Sequence, residues 1–320
     1  MGRPEALRRL PWLRDSVWRA ADRLFPVRVP RGWLDRVDPS RPEDPLALQA
    51  LPGLAELEVD QDGSLDPVGE GALQPTPWLV QKHPDRALLL LTRRCHLYCR
   101  YCFRRNHASE REDPSAEELT EALDWVRSSG ARELILSGGD PLAVRDELLL
   151  SVMDRVRPEV QVIRVHTRAP ITAPERVTPE LVAGLARRAP VWVLVHANHP
   201  RELSGPVRSA LRALVQGGLP VLNQAVLLAG VNDDVEVLAE LCTELVGLGV
   251  FPYYLHHTDP AQGNAAFRVQ PGRGLQLHDA LARRVSGVAL PRYVVDLPDG
   301  SGKMDVRRAL LDGKIRDRRT

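Results

Sequence analysis

Three cysteines fall within eight residues, in Cys95-His96-Leu97-Tyr98-Cys99-Arg100-Tyr101-Cys102. Two thiols make a redox pair, and four close a zinc or iron–sulfur site. Three, at C-x3-C-x2-C, leave one coordination position open. In a [4Fe–4S] cluster that means one iron without a protein ligand, free to bind a small molecule. The competing readings are a zinc site completed by His96 or His107 and three ordinary buried cysteines.

Two further stretches carry chemistry. Ser137-Gly138-Gly139-Asp140-Pro141 pairs glycines, which allow close backbone approach by a ligand, with a carboxylate that can hold an ammonium group. Gly-Gly-Asp-Pro is also an ordinary turn. Near the C-terminus, Pro291-Arg-Tyr-Val-Val-Asp296 leads into the glycine-rich Leu-Pro-Asp-Gly300-Ser-Gly302-Lys303. The only other lysines are Lys82 and Lys314. A partly desolvated lysine amine can form a Schiff base with a carbonyl cofactor such as pyridoxal phosphate (PLP); the plainer reading is a solvated loop lysine.

The elements that must position these groups begin at Arg86. Strand-like runs at 87–91, 133–136, 160–165, 191–195, 221–227, 251–255 and 292–297 alternate with helical stretches near 115–129, 145–157, 178–188, 204–217, 233–247 and 273–286. Such alternation predicts an α/β protein with a parallel sheet covered by helices, here a partial (β/α)6-type barrel. A parallel barrel presents reactive groups at the C-terminal ends of its strands. Just past those ends lie the three cysteines, Ser137 to Asp140, His166-Thr-Arg168, His196-Ala-Asn198-His199, His256-His257-Thr-Asp259 and Asp296, with Asn223 and Gln224 inside the fifth run. Residues 1 to about 24 read as an amphipathic helix interrupted near Pro11, and 25–84 as an irregular layer on the barrel. The expected division is a 1–84 extension, an 85–290 barrel and a 291–320 strand and lysine loop.

Composition narrows the function classes. Lys plus Arg total 43 against 42 Asp plus Glu, a formal charge of +1, so no global field argues for nucleic acid or an anionic membrane. Four cysteines are no disulfide framework and suit a reducing compartment. With neither a signal peptide nor an apolar run approaching the ~20 residues that span a bilayer, a cytoplasmic protein is expected.

With these motifs in place, the chain resembles the radical S-adenosylmethionine (SAM) enzymes and, among them, the PLP-dependent lysine 2,3-aminomutases. The likeness runs from about Pro77 to Val306. It passes through His83-Pro-Asp-Arg-Ala-Leu-Leu-Leu, the cysteine loop with Arg104-Arg105, Ser-Gly-Gly-Asp-Pro-Leu, Asn223-Gln-Ala-Val-Leu-Leu, Pro252-Tyr-Tyr-Leu and Tyr293-Val-Val-Asp up to Gly-Lys303. The resemblance implies that Cys95, Cys99 and Cys102 hold a [4Fe–4S] cluster and that Gly138, Gly139, Asp140, His196 and Gln224 contact SAM. It further implies that Lys303 carries PLP, that Arg86 holds its phosphate, that Arg104 pairs with the substrate carboxylate and that Asp259 and Asp296 clamp the distal ammonium of L-lysine. A SAM-derived radical would take hydrogen from C3, the amine would move from C2 to C3, and β-lysine would result.

The charge logic agrees. A carboxylate, an α-amine and a distant cation are matched by one arginine, one carbonyl cofactor and two carboxylates; glutamate would set a negative group against Asp259 and Asp296. Arginine or ornithine would fit. An external one-electron reductant is required, and a homo-oligomer is expected. His256 in place of a tyrosine, Asp234 in place of a zinc-ligating cysteine, Phe25-Pro-Val-Arg-Val-Pro and the end at Thr320 resemble the branch linked to β-lysylation of elongation factor P; Asp296 resembles the free-lysine type. The rival readings are a PLP-independent radical SAM enzyme modifying peptide or RNA, and a zinc-binding interaction protein.

Overall fold

The computed structural model describes residues 3–107 and 111–317. Nine strands form one sheet in sequence order: β1 (Leu79–His83), β2 (Arg86–Thr92), β3 (Glu133–Gly138), β4 (Val162–His166), β5 (Val191–Val195), β6 (Val221–Val226), β7 (Phe251–His256), β8 (Arg292–Leu297) and β9 (Gly302–Asp305). Strands β2 to β8 are parallel; β1 and β9 pair antiparallel at the two edges. The seven parallel strands match the runs expected from sequence, and the sheet forms the open barrel anticipated.

Alternation along each strand makes an inside and an outside. On β4, Ile163 and Val165 are fully buried in the helix-covered core, whereas Val162, Arg164 and His166 face the barrel interior. On β5, Val191, Val193 and Val195 go outward, and Trp192 and Leu194 inward. The inward set includes charged side chains, so the barrel is a lined cavity and not a packed core.

The N-terminal helix breaks near Pro11 as expected, into Arg3–Arg9 and Asp15–Leu24, because Pro11 has no N–H to continue the first. Two local expectations change. Leu79–His83, read as part of an irregular layer, is a strand; Pro75, Pro77 and Pro84 around it mask its pattern, and the boundary drawn at 84 falls in the β1–β2 turn. Lys303 stands on β9 and not in a loop, the glycine-rich turn ending before it. The remainder of 25–84 is short helical turns and coil packed on the barrel.

Candidate active site

The strand ends and the extension enclose a cavity of ≈ 890 Å³, near the upper end for a small-molecule site. Cys95, Cys99, Cys102, Arg86, Arg104, Gly138, Gly139, Asp140, His196, Gln224, Asp259, Asp296 and Lys303 all line it, as do His166 and His256. Other strand-end residues do structural work. His199 accepts from the Arg201 N–H and caps a short turn, His257 pairs with the Tyr293 hydroxyl at 2.8 Å, and Asn223 braces the Ala197 backbone.

The cysteine loop follows β2 and is gripped by the N-terminal extension. Buried Arg100 donates to the Pro26 and Phe25 carbonyls (2.9 and 3.2 Å) and to Glu56 Oε2 (3.0 Å). Arg105 donates to the same Glu56 at 2.5 Å and to the Arg100 and Gly263 carbonyls. The Arg100 N–H donates to the Gln49 carbonyl, and Arg28 Nη1 to the Cys95 carbonyl. Burial raises the thiol pKa values, Cys102 to about 11 and Cys95 well above its usual range, and each is raised further by the neighbouring cysteines. Three cysteines gathered on one loop at one cavity fit a cationic iron cluster, which deprotonates its thiol ligands outright. The His96 ring places Nε2 3.3 Å from the Leu142 carbonyl, and the His107 side chain lies outside the described residues.

The paired glycines line the cavity and also let the chain close tightly on itself. A Cβ on Gly138, whose φ is 116°, would lie 2.2 Å from the Thr92 carbonyl oxygen, and one on Gly139 2.3 Å from that of Arg94. They let the end of β3 close against the cysteine loop, where the Gly139 and Asp140 N–H groups donate to Thr92 and Arg94 (2.7 and 2.8 Å). The Asp140 carboxylate is engaged as well: Oδ1 accepts from the Leu142 N–H and the Thr167 hydroxyl, Oδ2 from the Arg168 N–H. Nearby, His196 Nε2 is 3.3 Å from the Tyr101 hydroxyl, and Gln224 Nε2 is 3.4 Å from His166 Nδ1. His166 Nε2 is buried without a protein partner.

At the other end the β8–β9 register sets Lys303 opposite Asp296, with Nζ 2.8 Å from Oδ2 and His256 Nδ1 3.9 Å from the same oxygen. Burial pushes Asp296 upward, but the Lys303 ammonium, with His256 and Lys82, holds it below the ordinary carboxylate range. Asp259 is pushed up to about 8, by burial and then by Asp296. His83 is lowered by burial and by Arg86, Lys82 and Lys303 around it, so basic groups converge there as an anion would require. Arg104 is held by Glu70, a residue that sequence reasoning missed, through bonds of 2.8 and 2.6 Å. Three arginines in and beside the cysteine loop, each needing a counter-ion, were the available signal for Glu70 and Glu56.

A parallel barrel with three thiols at its mouth defines a radical SAM enzyme. The Radical SAM superfamily pattern matches residues 89–242 and implies SAM and a [4Fe–4S] cluster. The L-lysine 2,3-aminomutase of Clostridium subterminale is 40% identical over 278 residues, covering 86% of this chain and 67% of that one. That of Acetoanaerobium sticklandii is 38% identical over 296 residues, covering 91% and 71%. The chain belongs to the lysine 2,3-aminomutase family, whose members are radical SAM isomerases. The glutamate 2,3-aminomutase of Clostridioides difficile is also similar, at 34% identity over 289 residues, 89% of this chain and 68% of that one. Among the described residues, no helix is long and apolar enough to cross a membrane.

Proposed function

We propose that the protein converts L-lysine to β-lysine with PLP carried on Lys303. The observation that carries this reading is the pair Asp259 and Asp296 beside Lys303, with Arg104 lining the same cavity. Two carboxylates match a distal ammonium, and an arginine matches an α-carboxylate. When bound, the cluster with SAM supplies a hydrogen-abstracting radical, and PLP supplies the π-system that opens a path for the amine between adjacent carbons.

The chain's own residues position and shield. Lys303 tethers, while Arg86, with Lys82 and His83 beside it, offers positive charge to a phosphate. Arg104 orients the substrate carboxylate once that group displaces Glu70. Asp259 and Asp296 would hold the far end of the side chain and so limit the ways it can lie in the cavity. The enclosing walls exclude water from a reactive radical.

Anaerobic incubation of reconstituted protein with SAM, PLP, dithionite and either L-lysine or L-glutamate tests the proposal, with chromatography for the β-amino acids. β-Lysine is expected, with no β-glutamate. Turnover of glutamate alone would transfer the reading to that substrate.

A further inference from the structure

The Arg168 guanidinium, just beyond β4, reaches a cysteine sulfur of the loop: Nη1 lies 2.8 Å from Cys99 Sγ. Its placement is over-determined. Nη2 donates to Gln49 Oε1 at 2.7 Å and Glu202 Oε2 at 3.0 Å, and Nε to the His196 carbonyl at 3.2 Å. Its backbone N–H is held by Asp140, and the Trp33 and Tyr101 rings flank it at 5.0 and 5.4 Å. Glu202 is fixed in turn by the Asn198 and His199 N–H groups and by Gln49 Nε2, all at 3.0 Å. The network spans barrel and extension, and its free end is aimed at one sulfur of the three.

We propose that Arg168 sets the reduction potential of the iron–sulfur cluster through Cys99. The proposal rests on the cluster reading of the three cysteines. In the step concerned, the oxidised cluster accepts one electron from an external one-electron reductant such as dithionite, with no bond or proton change in the protein. A hydrogen bond to the thiolate withdraws density from that sulfur, and a buried cation stabilises the added negative charge; both favour the reduced cluster. Glu202 shares the charge with Cys99 and moderates the effect without cancelling it, because it is divided among four donors. Arg168 touches no reacting carbon, so its role is to position charge, and a potential is the quantity that reports it.

The test is a potentiometric titration of the anaerobically reconstituted full chain, followed by the electron paramagnetic resonance of the reduced cluster and normalised to iron content. Arg168→Met is expected to lower the reduction equilibrium constant about tenfold, equivalent to 59 mV for one electron. Arg168→Gln, whose amide still donates to its neighbours, is expected to shift the same way and serves if the Met variant fails to fold. Arg168→Lys restores the charge and is expected to return most of the shift. Iron-loaded neutral variants whose midpoints coincide with wild type overturn the proposal alone. A wild-type chain that takes up no iron overturns the cluster reading together with it.

Discussion

The two ends of the cavity are built on opposite principles. At the cysteine end, buried guanidiniums are locked by buried carboxylates and backbone carbonyls: Arg100 and Arg105 on Glu56, Arg168 on Glu202. At the lysine end, Lys303 is more than a third exposed on a short edge strand, and its ionisable neighbours are driven apart: burial and Asp296 push Asp259 up to about 8, whereas Lys303 holds Asp296 below the ordinary carboxylate range. The difference teaches a division of labour. Radical generation needs fixed, dry geometry, whereas substrate must enter, pair its charges and leave. Rigidity is therefore concentrated where the three cysteines sit, and titratable groups gather around Lys303.

The largest effects break one end while sparing the other. Lys303→Ala should abolish the visible absorbance of bound PLP and all β-lysine while iron content and reductive SAM cleavage persist; continued β-lysine production would dismiss Lys303 as the tether. Glu56→Gln strikes the opposite end. It strips the shared partner from two buried cations, which costs about 3–5 kcal/mol. Anaerobic urea unfolding should show a loss of that size, and iron analysis a depleted cluster. Unchanged stability and iron would mean that the extension does not grip the loop.

The same contrast explains what could be read from the sequence. The seven parallel strands were legible because apolar alternation is local, and the cysteine loop because its spacing lies within eight residues. Both edge strands escaped, since Leu79–His83 sits among prolines and Gly302–Asp305 has four residues behind a glycine turn. The residues that brace the cysteine end were hidden for a different reason. Glu70 meets Arg104 across 34 positions, and Arg168, legible just past a strand end, meets Cys99 across 69, so no local pattern marks either pairing. At Gly138 and Gly139 the sequence pointed to close approach, and the chain's own backbone makes one such approach at residues that also line the cavity.

The smaller effects sharpen the lysine end. A charge-assisted hydrogen bond is worth about 1.5–3 kcal/mol, so Asp259→Asn should raise the KM for lysine by about 10- to 100-fold while kcat falls less. The pH profile then isolates the carboxyl itself. With a pKa near 8 in the free protein, Asp259 is mostly protonated at neutral pH, yet the lysine ammonium pairs with its charged form. Binding must therefore release a proton, and kcat/KM should rise with pH up to about 8 and level off above it. In the Asn variant this rise should flatten while any slope from the cysteine end remains. Steady-state rates at fixed reductant from pH 6.5 to 9 give the comparison, and an identical profile in both proteins would assign the titration to another group.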